Sequence, residues 1–183
     1  MERRFGELLV EITKGDIASQ TDMEAVVNAA NAQLRPGGGV AGAIHRAAGA
    51  GLARECRSLA PIRPGIAVIT SAHDLPNEYV IHCLGPVYGQ DEPSEQFLKD
   101  CYRNALLLAE ENGIRSVAFP SISTGIFGYP MREAADIALR TVVESSTSLK
   151  GVARVRFVLF GEEALRTHEA ALKFFGKQCS PSD

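Results

Sequence analysis

The sequence of 183 residues predicts an α/β fold, a three-layer α/β/α sandwich around a mostly parallel sheet. Two observations predict it. Short apolar runs alternate with helical periods from one end of the chain to the other. Several of these runs, such as Tyr79–Cys83, are apolar at nearly every position, which is typical of central strands covered on both faces.

The elements follow from those patterns. Six runs rich in Val, Ile or Phe are predicted strands: Leu8–Ile12, Ala25–Asn28, Ile66–Thr70, Tyr79–Cys83, Ser116–Pro120 and Val155–Phe160. Five segments with helical periodicity are predicted helices: Val40–Ala48, Gly51–Ala60, Ser94–Asn112, Met131–Ser146 and Glu163–Phe175. Residue types expected at helix ends delimit the longest helix, with Pro93 and Ser94 at its start and Asn112-Gly113 at its end.

Length and composition predict one domain over residues 1–183, with a core of about residues 8–175 and a flexible tail at 180–183. Hydrophobic residues make up 45% and charged residues 22%, as in ordinary globular proteins. The net charge of -3 and the pI near 5.8 provide no basic footprint, so we expect no nucleic-acid partner. A single bound diphosphate needs no such excess of cations.

The cysteines, Cys56, Cys83, Cys101 and Cys179, form no Cys-x-x-Cys pair and join no histidine cluster. We therefore expect reduced thiols, no metal site and no cofactor. The charged N-terminus has no apolar signal core behind it, and no apolar run approaches the roughly 20 residues that span a bilayer. These features predict a cytoplasmic protein with no membrane partner, and we expect a monomer.

Two glycine-rich loops are the strongest functional signals. In the first, a strand ends in Asn28-Ala29-Ala30-Asn31, and Gly37-Gly38-Gly39 then leads into a helix. Glycine amides can approach and surround an anion, and the helix N-terminus adds a favourable dipole. No Walker or Rossmann pattern is present, and a simple flexible turn is the alternative.

The second loop, Ser123–Gly128, also follows a predicted strand, and Pro130 stands at the start of the next helix. Two such loops can open at the carboxyl edge of one sheet, where α/β folds bind ligands. Phe127 is either a buried anchor of this loop or a lid over a ligand.

These two loops resemble segments of the macro domain family. So do three further segments, and all of them occur in the order typical of the family: Gly15-Asp16-Ile17, Ala43–Gly49 and Tyr79–Pro86. The resemblance extends from about Leu8 to Phe175. It implies a mixed six-stranded sheet with α/β/α layers and a cleft for ADP-ribose, free or attached to a mono-ADP-ribosylated protein.

The resemblance also implies roles for particular residues. Asp16 would accept a hydrogen bond from the adenine 6-amino group, the amide of Ile17 would meet a ring nitrogen, and Phe160 would pack on the adenine face. Turn capping by Asp16 and core packing of Phe160 are the alternatives. The diphosphate and distal ribose would contact the remaining expected ligand-binding residues: Asn28, Gly38, Gly39, Val40, Ser123, Thr124, Gly125, Ile126 and Phe127.

The sequence leaves open whether the protein hydrolyses ADP-ribosyl bonds or only binds ADP-ribose. One hydrolytic branch of the family has an aspartate directly after Gly-Gly-Gly-Val, whereas this chain has Ala41, whose methyl group cannot activate water. Viral members with alanine there are associated with removing mono-ADP-ribose from acidic side chains. A water held by Asn31 and a substrate phosphate oxygen would serve that reaction, which makes Asn31 the expected catalytic residue.

Three functions therefore remain open: a hydrolase of ADP-ribosyl esters or O-acetyl-ADP-ribose, a non-catalytic ADP-ribose reader, and a nucleic-acid-binding module, which the acidic pI disfavours. His45 is expected to be exposed or to cap its helix, with general-base catalysis as the alternative. His82 is expected to be a satisfied core or edge group. The pairs Arg54/Glu55 and Glu110/Glu111 are expected on solvated helix faces.

Overall fold

A seven-stranded mixed sheet lies at the centre of the computed structural model, which describes residues 1–178. Its strands are β1 (Glu2–Phe5), β2 (Leu8–Lys14), β3 (Ala25–Ala29), β4 (Ala67–Ser71), β5 (Tyr79–Cys83), β6 (Ser116–Phe119) and β7 (Arg154–Leu159). They follow one another across the sheet in the order β1-β2-β7-β6-β3-β5-β4. The central five are parallel, and β1 and β4 pair antiparallel at the two edges.

Helices cover both faces of this sheet. They are α1 (Gly39–Ala48), α2 (Ala50–Cys56), α3 (Ser94–Glu111), α4 (Met131–Ser145) and α5 (Glu162–Gln178), with a short 3-10 helix at Ile17–Ser19. One apolar cluster lies between the sheet and α3, α4 and α5. A second lies between the opposite face of the sheet and α1, α2 and the 3-10 helix. The predicted three-layer sandwich is therefore confirmed.

The larger cluster positions one of the loops at the sheet edge. The rings of Tyr102, Phe119 and Phe157 are all fully buried, and the Tyr102 and Phe119 centroids are 5.2 Å apart. The Tyr102 hydroxyl accepts a hydrogen bond of 3.2 Å from the amide of Ile122, the third residue after β6. Core packing on α3 thus fixes where that loop begins.

The sheet has one strand more than the six that were predicted. Glu2–Phe5 forms a hairpin with β2, and only Phe5 of its four residues is buried. Its charged sequence carries no apolar run, because the pairing is made by backbone groups at an edge. Gly6 supplies the turn with a φ of 58°, which glycine adopts at little cost.

The predicted second helix is also shorter than expected. It ends at Cys56 rather than at Ala60, ahead of a segment that contains Pro61 and Pro64. In the longest helix, the predicted end is confirmed, since the Asn112 amide bonds the Leu108 carbonyl and Gly113 has a φ of 68°. Cys179 and the predicted tail at 180–183 lie outside the described residues.

Glu110 and Glu55, which were expected on solvated helix faces, instead accept hydrogen bonds from other parts of the chain. Glu110 accepts hydrogen bonds from the amides of Lys150, Gly151 and Val152, at 3.1, 2.8 and 2.6 Å. These bonds, that of Val152 above all, hold the pKa of Glu110 below its usual value. Glu55 accepts from the Ser71 amide at 3.2 Å and pairs with His73 at 2.7 Å. Glu110 therefore fastens the loop between α4 and β7 to α3, and Glu55 fastens the end of β4 to α2.

The three described cysteines are buried free thiols, as expected. Burial raises the pKa of Cys101 to about 12 and that of Cys56 to about 11, so neither is a thiolate near neutral pH.

Across residues 1–178, no three His, Cys, Asp or Glu side chains come together as metal ligands. Over the same residues, no helix has the length and apolarity that crossing a membrane requires.

Candidate functional site at the carboxyl edge of the sheet

The five parallel strands all end at one edge of the sheet, and the predicted site residues follow those ends. Asp16 comes after β2, Asn31 after β3, Ser123 after β6 and Phe160 directly after β7. Because β2 and β7 are neighbours, Asp16 and Phe160 share one end of this edge. Asn31 and Ser123 follow the adjacent strands β3 and β6, nearer the centre of the sheet.

The first glycine loop ends at the N-terminus of α1. Gly38 is the cap residue, in extended conformation, and Gly39 begins the helix with a φ of 54°. A side chain on Gly42 would collide with the carbonyl oxygen of Gly37, so the loop lies directly on the first turn of the helix. The opening amides of a helix have no partner within it and concentrate partial positive charge. This arrangement presents Gly38, Gly39 and Val40 to an anion.

The second loop forms a compact turn after β6. The Gly128 amide bonds the Gly125 carbonyl at 3.0 Å, and the Tyr129 amide bonds the Ser123 carbonyl at 2.9 Å. Thr124 closes the base of the turn by donating its hydroxyl to the Ser121 carbonyl at 3.0 Å. At the tip, the side chain of Ile126 is 99% exposed.

Ser123 has a tightly enclosed position in this turn. It has a φ of 65° and is buried, and its hydroxyl oxygen has no partner among the described residues. A side chain on Gly85 would collide with that hydroxyl, so glycine after β5 is what admits Ser123. A buried hydroxyl without a partner is costly, and a bound ligand can relieve that cost.

Asn31 has a fixed orientation beside the first glycine loop. Its Oδ1 accepts from the Arg35 amide at 3.0 Å, and its Nδ2 donates to the Arg35 carbonyl at 2.8 Å. Nδ2 lies 3.6 Å from the point where a side chain on Gly37 would begin. An amide side chain has four hydrogen-bonding positions. The two that Arg35 does not use remain for a ligand or a water.

Asp16 caps the 3-10 helix in this structure, with Oδ1 accepting from the Ala18 amide at 2.9 Å. Its carbonyl accepts from Gln20 Nε2 at 2.8 Å, and Gln20 Oε1 accepts from Arg156 on β7 at 3.0 Å. Arg156 is in turn bonded to the carboxylates of Glu11 and Asp22. A chain of hydrogen bonds thus ties the Asp16 loop to the sheet.

Comparison with known proteins identifies the family. The profile of the macro domain family matches residues 27–138, which is more than half of the chain. The chain belongs to the macro domain family.

Relatives of this macro domain are similar over nearly its whole length. The O-acetyl-ADP-ribose deacetylase of Klebsiella pneumoniae is 48% identical over 167 residues, 88% of this chain and 95% of that protein. The ADP-ribose glycohydrolase MACROD2 of Xenopus laevis is 46% identical over 172 residues, 92% of this chain and 41% of that longer protein.

Solved macro domains have the same fold. The Oceanobacillus iheyensis macrodomain, determined with ADP, matches with a TM-score of 0.93 and 38% identity over 97% of both chains. The Trypanosoma brucei macrodomain, determined with ADP-ribose, matches with a TM-score of 0.82 and 37% identity, covering 89% of this chain and 68% of that one.

For two aromatic residues of this macro domain, the structure separates the alternatives. Phe160 is 91% exposed, so core packing does not account for it. Phe127 is half-buried against the smaller apolar cluster, and its carbonyl accepts from the Tyr88 amide at 2.8 Å. Phe127 therefore anchors its loop. Ile17 is also buried, which leaves its backbone as the part that can face a ligand.

Asn28 is positioned inside the fold rather than in the cleft. It is 1% exposed, and its Nδ2 lies 3.1 Å from Nδ1 of His82. His82 is itself fully buried, and its Nε2 lies 2.9 Å from the Thr70 hydroxyl, so its prediction as a satisfied core group is correct. Asn28 thus supports the end of β3 through a buried polar network.

His45 is neither exposed nor a cap, which corrects the expectation for it. It is 6% exposed, and neither ring nitrogen has a hydrogen-bond partner within the described part of the chain. Burial lowers the pKa of His45, so the ring is neutral near pH 7. Because the ring is buried, it does not favour a role for His45 as a general base.

Sequence reasoning missed two residues that shape the site. Gln20 holds the Asp16 loop, and Gly85 makes room for Ser123. A signal for Gly85 was present, since glycine directly follows Cys83-Leu84 at a strand end. Nothing in the sequence pairs Gln20 with Arg156, because the contact joins residues 136 positions apart.

Proposed function

We propose that this macro domain binds ADP-ribose along the carboxyl edge of its sheet and hydrolyses mono-ADP-ribosyl esters of acidic side chains, or O-acetyl-ADP-ribose. The observation that carries the proposal is the placement of Asn31. Its amide is held by both backbone groups of Arg35 and lies beside Gly37, at the head of an anion-binding helix.

The diphosphate lies between the two glycine loops. The amides of Gly38, Gly39 and Val40 donate to it from the N-terminus of α1, where the helix dipole favours negative charge. The turn of Ser123, Thr124, Gly125, Ile126 and Phe127 closes over it from the other side. The exposed Ile126 then covers the ligand.

The adenine occupies the β2–β7 end of the edge. Asp16 accepts from the 6-amino group while the Ile17 amide donates to a ring nitrogen, and Phe160 stacks on the ring. A stacked aromatic of this kind contributes about 1–3 kcal/mol. Exposure of 91% supports this role, since burying such a ring against adenine removes apolar surface from water.

At the distal ribose, water is the nucleophile. Asn31 and a phosphate oxygen of the substrate hold it against the ester. As the water oxygen forms a bond to the anomeric carbon of the distal ribose, the bond from that carbon to the ester oxygen breaks and its electron pair leaves with the carboxylate. The phosphate oxygen takes one proton from the water, and the other stays on the new ribose hydroxyl. A carboxylate is a good leaving group, so no protein carboxylate is required at Ala41. Positioning and exclusion of solvent supply most of the rate.

Similar proteins support both the proposed hydrolysis and the proposed binding of ADP-ribose. Relatives that this chain matches at 46–48% identity are an O-acetyl-ADP-ribose deacetylase and an ADP-ribose glycohydrolase. A structural neighbour binds ADP-ribose.

A second function, reading ADP-ribose without turnover, is favoured by Ala41, which lacks any group to activate water. Incubation with a glutamate-linked mono-[³²P]ADP-ribosylated protein separates the two. The hydrolase releases label above the buffer rate. Release at the buffer rate, with calorimetric binding of ADP-ribose intact, would establish the reader instead.

The setting that we propose is a monomer in the cytoplasm that acts on free ADP-ribose derivatives or mono-ADP-ribosylated proteins and uses no cofactor. Three buried reduced thiols suit a reducing compartment. The net charge of -3 does not favour non-specific binding to nucleic acid.

A further inference from the structure

A groove of about 460 Å³ lies behind the loop that carries Asn31. One wall is the loop segment Gln33–Pro36, and the other is the end of α2 with Ala53, Arg57 and Ala60. Its floor includes the buried Leu34. We call this the Arg35–Arg57 groove.

The groove lies in the most basic part of an acidic protein. Residues 31–66 contain a single acidic residue, Glu55, against five arginines: Arg35, Arg46, Arg54, Arg57 and Arg63. The five are not ion-paired to any carboxylate in the described chain. Glu55 itself is occupied by Ser71 and His73. Arg35 and Arg57 therefore offer exposed, unpaired guanidiniums on the two sides of the groove.

The same loop joins the groove to the reaction site. Arg35 holds the Asn31 side chain with its backbone while its own side chain lines the groove. Pro36 also lines the groove, and the next residue is Gly37 of the anion-binding loop. In the binding mode proposed above, the distal ribose lies beside Asn31, so a chain esterified to it would leave the cleft at this end.

We infer that the Arg35–Arg57 groove binds the acidic peptide segment that flanks the modified carboxylate of a protein substrate. This rests on the proposed function. Guanidinium groups bind carboxylates through paired hydrogen bonds, so arginines on both walls suit an acidic segment. The floor and walls contribute Leu34, Ala53 and Ala60, which suit peptide backbone and short side chains. The lining includes no aromatic ring on which a nucleotide base could stack, which favours a peptide over single-stranded nucleic acid.

The test compares ligands that differ only beyond the ester. They are free ADP-ribose, O-acetyl-ADP-ribose, and two glutamyl-ADP-ribose peptides, one flanked by Asp and Glu and one by Ser and Ala. The variants are Arg57→Glu, Arg57→Gln and Arg57→Lys. Arg140→Glu is the matched control, because Arg140 is exposed on α4, across the sheet from the groove. Melting temperatures establish that each variant folds.

Wild type is expected to bind the acid-flanked peptide at least tenfold more tightly than the neutral one at low salt, with the preference shrinking as salt rises. Arg57→Glu removes that preference, Arg57→Gln reduces it and Arg57→Lys retains most of it. Binding of ADP-ribose and turnover of O-acetyl-ADP-ribose stay within twofold of wild type in all three. The Arg140→Glu control keeps the peptide preference.

The inference is overturned if wild type binds both peptides with equal affinity, if Arg57→Glu weakens the binding of both peptides equally, or if Arg140→Glu loses the peptide preference as Arg57→Glu does. Arg57-dependent binding of a single-stranded oligonucleotide without any acidic-peptide preference also overturns it. A failure of the proposed hydrolysis is seen separately, as absent turnover by wild type of both the glutamyl-ADP-ribose peptides and O-acetyl-ADP-ribose, because the peptide preference is measured as binding.

Discussion

Besides Asn31, Phe160 and Ala41 are the two residues that bear most directly on the proposed site. Phe160 stands in solvent at the end of β7, and the fold gives no reason for an aromatic ring there. Ala41 lies in the first turn of α1 and is 6% exposed. One residue supports ligand binding, and the other removes an expected catalytic group.

Replacing Phe160 with alanine is expected to weaken ADP-ribose binding by about five- to 150-fold, the equivalent of about 1–3 kcal/mol of stacking. The melting temperature should change little, because the ring is 91% exposed. Calorimetry and thermal melting measure the two effects. Phe174→Ala, at an aromatic 58% exposed on α5, is the matched control and should leave affinity unchanged. Unchanged affinity in Phe160→Ala would remove adenine stacking from the account.

Introducing a carboxylate at Ala41 is expected to accelerate hydrolysis. In Ala41→Asp, the new group lies at the N-terminus of a helix, where a negative charge is favoured, and it adds a base near the water. We expect turnover of a glutamate-linked substrate to rise at least tenfold, in line with the roughly 10²–10⁴ that general-base catalysis supplies. Single-turnover rates at saturating enzyme measure this, with Ala41→Asn as the uncharged control. Equal rates in the aspartate and asparagine variants would contradict it.

At the scale of elements, the loop after β2 is held by a connection to β7. Gln20 bridges the Asp16 carbonyl and Arg156, and Arg156 shares the carboxylates of Glu11 and Asp22 with Arg154. These arginines lower the pKa of Asp22 well below its usual range, led by the Arg156 hydrogen bond. The loop at which we propose that adenine binds is therefore positioned by charged residues of β2 and β7 and by Asp22.

Gln20→Met tests that positioning. Methionine keeps the length of the side chain but loses both hydrogen bonds, so the Asp16 loop loses its tie to β7. We expect ADP-ribose to bind several-fold more weakly, and the preference for it over the hypoxanthine analogue, which lacks the 6-amino group, to shrink. Affinities for the two ligands are compared by calorimetry. Gln96→Met, at an exposed glutamine on α3, is the control. Full retention of the adenine preference would show that Gln20 does not position Asp16.

The sequence predicted those elements whose residue pattern lies within one contiguous segment, and it missed those held by contacts between distant segments. The buried parallel strands and the capped ends of α3 and α4 were predictable, because apolar runs and cap residues lie in contiguous sequence. The β1 strand was missed since Glu2–Phe5 is held by backbone pairing at an edge. The burial of His45 was missed for a similar reason, because it depends on how α1 packs on the sheet. Gln20 and Gly85 act through contacts that only the folded chain makes.

At the scale of the whole molecule, buried histidines make stability depend on pH. Burial, with a smaller contribution from nearby His45, lowers the pKa of His82 to about 3 from an ordinary value of 6.5. Burial also lowers the pKa of His168, which is fully buried against Phe157. Below pH 6.5 the unfolded chain therefore takes up protons that the folded chain cannot.

The free energy of unfolding is accordingly expected to be level between about pH 7 and pH 8 and to fall as the pH drops from 6.5 toward 3. Each proton that the fold excludes contributes a slope of up to about 1.4 kcal/mol per pH unit. Between pH 6.5 and 5 histidines dominate, because the pKa values of Glu11 and Glu110 are lowered from 4.5, so loss of their stabilisation comes at lower pH. Urea titrations at pH 7.5, 6.5, 5.5 and 5.0 measure the slope. An equal free energy of unfolding at pH 7.5 and 5.0 would contradict the conclusion that His82 and His168 are buried in their neutral form.

The central claim is that Asn31 positions the water that attacks an ADP-ribosyl ester. Its most direct measurement is the turnover of a glutamate-linked mono-ADP-ribosylated protein by wild type and by Asn31→Ala, with the ADP-ribose dissociation constant of each determined by calorimetry. We expect turnover to fall by about 10²–10³, as for the loss of other preorganised polar groups, while the dissociation constant changes by less than fivefold. Wild-type turnover in Asn31→Ala, or a loss of binding as large as the loss of turnover, would contradict the claim.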